Sequence, residues 1–79
     1  MELKDKIILN SGETLVEISH KTKGPVGETD IYKYKIINSK GDIVGYVDHT
    51  DHTSIRGFQR TQSAIQYDIN KRVIIDIHW

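Results

Sequence analysis

Chemically capable side chains are concentrated between Tyr46 and Gln62, with one more at His78. The run Tyr46-Val47-Asp48-His49-Thr50-Asp51-His52-Thr53-Ser54 is followed by Arg56-Gly57-Phe58-Gln59-Arg60-Thr61-Gln62, and three of the four histidines fall at 49, 52 and 78. Histidine titrates near neutrality and suits proton transfer. Arginine grips phosphate oxygens bidentately. Together they fit phosphodiester chemistry without a metal, which needs a general base, a general acid and a cation to meet charge developing on phosphate. In that reading His49, His52 and His78 move protons and Arg60 stabilises the phosphate, giving a catalytic set of His49, His52, His78 and Arg60. Tyr46, Arg56, Phe58 and Gln62 bind substrate: Arg56 as a second phosphate clamp, Phe58 by stacking on a base, Tyr46 and Gln62 by orientation. The plainer role for any one of these histidines is to hydrogen-bond a polar loop to itself.

Two other chemistries compete for the same residues. Asp48-His49 and Asp51-His52 form His-x-x-His with adjacent carboxylates, a ligand set zinc accepts. On a loop this spacing is far weaker than a helical His-Glu-x-x-His, so no metal and no other cofactor is expected. Protein binding is the other. Tyr32, Tyr34, Tyr46, Phe58 and Trp79 are bulky anchors of the type that dominates interface hot spots. Against this, Trp79 reads more simply as a core plug closing the sheet. Lys33 and Lys35 read as a solvated strand face, and His20 as a surface residue.

The segment from Gly45-Tyr46-Val47-Asp48-His49 through Arg60-Thr61-Gln62, with His78-Trp79, resembles small C-terminal ribonuclease toxin domains of bacterial polymorphic and contact-dependent inhibition systems. The resemblance covers about half the chain. It implies an RNA substrate, metal-free cleavage by His, Arg, Tyr, Thr or Lys side chains, a cognate immunity protein, and action in the cytoplasm after delivery from another cell. Such modules are commonly basic, and this chain departs from that pattern. The chain is also similar to the opposite partner in these systems, the immunity protein, which is small, soluble, Cys-poor and often neutral or acidic, and occludes a toxin without catalysis. An inhibitor of a basic enzyme would usually present carboxylates, and Asp48 and Asp51 are available for that role. Cleavage of RNA and occlusion of a partner protein both stay open at this point.

The elements that must hold these residues follow from composition. Thirteen Ile and five Val stand against three Leu, one Ala and one Met. β-branched residues fit a pleated surface, whereas helices favour Leu, Ala and Met. With 79 residues and a turn signal every eight to twelve, the chain predicts one all-β domain over 1–79. The expected form is a small antiparallel sheet or open barrel of five to six strands. Strands are expected at 6–9, 14–20, 31–38, 43–47, 58–67 and 72–79, residues 1–9 alternatively forming one helical turn. Residues 21–30 and 48–57 read as loops. A three-residue loop at 69–71, with Asn70 left-handed, closes the last hairpin. It sets Gln62 opposite His78, gathers Ile65, Tyr67, Val73, Ile75 and Ile77 on one face, and leaves Arg60, Gln62, Gln66, Asp76 and His78 together on the other.

Eleven Lys and Arg balance eleven Asp and Glu. A zero sum excludes the bulk attraction of a nonspecific nucleic-acid binder and the high charge of a disordered tail. It is unevenly spread: residues 41–79 hold all three Arg and three of the four His, while residues 1–40 hold seven of the eight Lys. The absence of Cys excludes a disulfide framework or disulfide-linked partner. Apolar runs of two or three residues predict no membrane span, and no basic-then-apolar leader is visible.

Overall fold

The computed structural model describes residues 3–24, 28–54 and 59–79. After a 3-10 turn at Leu3–Asp5, five strands follow: β1 (Thr14–Lys23), β2 (Thr29–Ile37), β3 (Ile43–Thr53), β4 (Arg60–Asp68) and β5 (Val73–His78). They form one antiparallel meander in the order β1-β2-β3-β4-β5, an open sheet rather than a barrel. The segment at 6–9 is no strand. It runs over one face of the sheet, held where the Gln66 amide accepts from the Ile8 N–H at 2.9 Å and donates to the Ile8 carbonyl at 2.8 Å.

That inner face holds the core. Ile7, Ile36, Val47 and Ala64 are buried there, with Leu3, Leu9, Leu15, Tyr34, Ile77 and Trp79 packed around them. Trp79 therefore serves the core, as its bulk predicts. No described element covers the opposite, open face, where Lys33 and Lys35 of β2 pair with Asp48 and Tyr46 of β3, and Tyr46 and Asp48 pair in turn with Tyr67 and Ile65 of β4.

Residues 48–53, expected as loop, are instead the second half of the central strand. Residues 48–52 are paired on both sides, His49 between Tyr32 and Ala64 and His52 between Thr29 and Thr61, and Thr53 pairs with Arg60. A strand needs neighbours for its backbone groups more than it needs apolar side chains, and β-propensity yields to that context.

The β2–β3 and β4–β5 hairpins share one plan. Asn38 Oδ1 accepts from the Lys40 and Asp42 N–H groups, and Asp68 Oδ1 accepts from those of Asn70 and Arg72. Each turn has three residues in its loop, the third with positive φ: Gly41 at 83° and Lys71 at 64°. The predicted loop at 69–71 is therefore present, but its left-handed residue is Lys71 rather than Asn70. Each hairpin also carries a bulge just after the turn. Tyr67 pairs with Val73 as expected, and then Ile74 is passed over so that Gln66 pairs with Ile75 and Ser63 with His78. That one-residue shift flips the rest of β5. Ile75 and Ile77 go to the inner face with Gln62, Ala64 and Gln66, while His78 goes to the open face. The expected grouping of Arg60 and Gln62 with His78 is overturned by this bulge.

Candidate functional site

Alternation in β3 separates the first two histidines. His49 and His52 are three residues apart, and an odd separation in a regular strand puts them on opposite faces. The His-x-x-His spacing cannot close on one ion from such a strand, and among the described residues no three His, Asp or Glu side chains gather as a ligand set.

His49 lies on the inner face and is only 8% exposed. Its ring is stacked on Tyr32 (centroids 5.5 Å apart) and lies parallel to Trp79 (5.7 Å, 2° between planes). The contact with Trp79 passes over Ala64, which pairs with His49 in β4 and is itself buried. A small side chain there is what lets the two rings meet. His49 Nε2 lies 3.0 Å from Gln62 Oε1, and Gln62 and Trp79 exchange both backbone hydrogen bonds. The row continues across the sheet, with His20 stacked on Tyr32 at 4.3 Å and 5°. His20 also bonds Asp30, whose carboxylate accepts from Thr22 as well; these hydrogen bonds hold Asp30 below the usual carboxylate range. Thus His20 is more than an isolated surface residue. It ends an aromatic ladder His20–Tyr32–His49–Trp79 spanning the sheet.

Arg60 shares this face. Its Nε donates to both oxygens of Asp51 at 3.0 and 3.1 Å, with Nη2 on Oδ2. The hydrogen bond and charge of Asp51 push the guanidinium further into its charged form. A phosphate would have to displace that carboxylate. Burial, aided by nearby carboxylates, raises the phenols of Tyr32 and Tyr34 above the usual tyrosine range.

The open face holds the other two histidines. His52 Nδ1 is 2.7 Å from Thr29 Oγ1. His78 is 77% exposed at its side chain, with Nε2 3.4 Å from Asp76 Oδ1. Both line a groove of about 400 Å³ with Thr50, Thr61 and Ser63, and Gln62 and Trp79 complete its lining. A second groove, about 330 Å³, is lined by Lys33, Tyr46, Asp48, Tyr67 and Lys71, with Ile18 beside them. Tyr46 and Tyr67 are a cross-strand pair, and Lys71 Nζ stands 5.1 Å from the Tyr46 ring centroid. Burial first, and then the Asp48 carboxylate that bonds it, push the Tyr67 phenol up.

The eight expected site residues are therefore divided. His49, Gln62 and Arg60 share the inner face; His52, His78 and Tyr46 share the open one; Arg56 and Phe58 lie outside the described residues. Sequence reading missed Lys33, Tyr67 and Lys71. The alternation Lys21/Lys23 and Lys33/Lys35 was the available signal, since period-two lysines must share a face.

Compared with protein-family models, with curated proteins and with solved structures, the chain matches none.

Proposed function

We propose that this chain is a non-catalytic binding domain that engages a partner protein, the role an immunity-type protein would have. The observation that carries this is the division of the expected catalytic groups between two faces. A general acid, a general base and a phosphate clamp must meet around one reacting group within hydrogen-bond reach. Here His49 is buried and stacked, Arg60 is held by Asp51, and His52 and His78 are on the far side of the sheet. Each of the two inner-face groups already has a full structural role. The open face, by contrast, offers tyrosine and lysine side chains with no described element against them, which is the composition of a contact surface.

One observation favours the ribonuclease reading. His52 and His78 share a hydroxyl-rich groove, and two imidazoles can act as acid and base. Their strands, β3 and β5, are two spacings apart, roughly 10 Å. The test is incubation with single-stranded and folded RNA in chelator, wild type beside the His52→Ala and His78→Ala variants. The binding reading predicts the same background for all three. RNA cleavage by the wild type that either substitution abolishes would overturn it.

A further inference from the structure

We infer that the open face binds an acidic protein surface, with the Lys71–Tyr46–Tyr67–Lys33 groove as its anchor. This rests on the reading of the chain as a binding domain and names the chemistry of its partner. The first observation is charge. Among the described residues the open face presents Lys21, Lys23, Lys33, Lys35 and Lys71 against Asp48 and Asp76. The charged strand residues of the inner face are Glu17, Asp30, Asp51 and Asp68 against Arg60, and the N-terminal segment adds Lys6 over Trp79. A chain of zero net charge thus has an open face at a formal +3, while acidic groups outnumber basic ones among the strand residues of the other. Fields of this kind steer and orient a charged partner.

The second observation is Lys71. At the same position of the matching turn the chain uses Gly41, which adopts positive φ without a clash; Lys71 holds φ 64° with a long side chain. Strain kept where glycine would relieve it points to a use for the side chain. That side chain is set over Tyr46, at the mouth of a groove whose floor is Tyr46 and Tyr67.

Lysine-flanked tyrosines suit either an acidic protein or a single-stranded nucleic acid. Two features favour the protein. Bases stack on ring faces, and Lys71 covers a face of Tyr46. The groove is also bordered by an exposed aliphatic, Ile18 at 56%, with Val73 at 59% beside Tyr67 on the same face; apolar contact of this kind serves a protein interface.

The experiment is an amide NMR titration of the intact chain with a random glutamate–tyrosine copolymer, run beside polyuridylate at equal ionic strength. Copolymer-induced shifts should map to Lys33, Tyr46, Tyr67 and Lys71, leave Ala64 and Gln62 in place, and fade as salt is raised. The Lys71→Gly variant separates contact from folding. It should raise Tm by about 5 °C through relief of the turn, yet weaken copolymer binding roughly three- to tenfold; Lys33→Glu should weaken it further. Shifts confined to the inner face, no shifts, or undiminished binding by Lys71→Gly would overturn the inference. Tighter binding of polyuridylate at the same face would overturn the acidic-protein partner while leaving a binding domain. Cleavage of the polyuridylate would overturn the binding reading itself.

Discussion

Between Tyr32 and Trp79, with its Nε2 on Gln62, the His49 ring has no room to receive a substrate. Its contacts are those of a structural residue. Replacing it with Ala removes two ring contacts and leaves the Gln62 amide oxygen without its partner, a loss of about 2–3 kcal/mol. His78, mostly exposed and beside Asp76, should change stability by less than about 0.5 kcal/mol on the same substitution. Urea unfolding of both variants checks this, and equal losses would contradict it. Residue type made His49 look catalytic because imidazole chemistry is written in the side chain. Its burial is written in the strand pairings, and those depend on residues 15 positions away in Ala64 and 17 positions away in Tyr32.

At the scale of elements, the all-β class, the number of strands and the turns at 39–42 and 69–71 were legible, because β-branched content and turn chemistry are local properties. Two things were not. A polar run, 48–53, became the centre of the sheet because β2 and β4 supply partners on both its sides. A single bulge at Ile74 changed which residues share a face, and no residue type in Val73-Ile74-Ile75 announces it. The N-terminal segment shows the same dependence on distant partners. It docks through one side chain, Gln66, 58 positions away from Ile8. Gln66→Ala should therefore leave both Ile8 backbone groups unpaired and destabilise the domain by about 1–3 kcal/mol. Amide exchange at Ile8 should accelerate well beyond that at Val47, which the sheet itself protects. Unchanged Ile8 exchange would show that something other than Gln66 anchors the segment.

At the scale of the molecule, the balance of eleven against eleven conceals a segregation by face. The sequence divides its charge by halves, with arginine and histidine late and lysine early. Folding turns this into a division across the sheet: strand alternation, reset in β1 by a bulge between Glu17 and Ser19, sends Lys21, Lys23, Lys33 and Lys35 one way and the acids Glu17, Asp30 and Asp51 the other. Two stacked consequences follow for function. The late half, which held the candidate catalytic groups, is cut in two by the plane of the sheet. The early half, whose lysines had no evident chemistry, supplies four of the five lysines of the open face. What the molecule presents is an oriented surface, not a converged site.

The central claim is that His49 and Arg60 on one face, and His52 and His78 on the other, never act on the same ligand. The most direct test follows the four imidazole Cε1–H signals by NMR while a 2′-O-methyl RNA oligonucleotide, which cannot be cleaved, is added. The structure predicts that His49 does not move at any concentration, whatever His52 and His78 do on the cationic face. Movement of His49 along the same saturation curve as His52 and His78 would mean that the three meet around one phosphate, and would contradict the account.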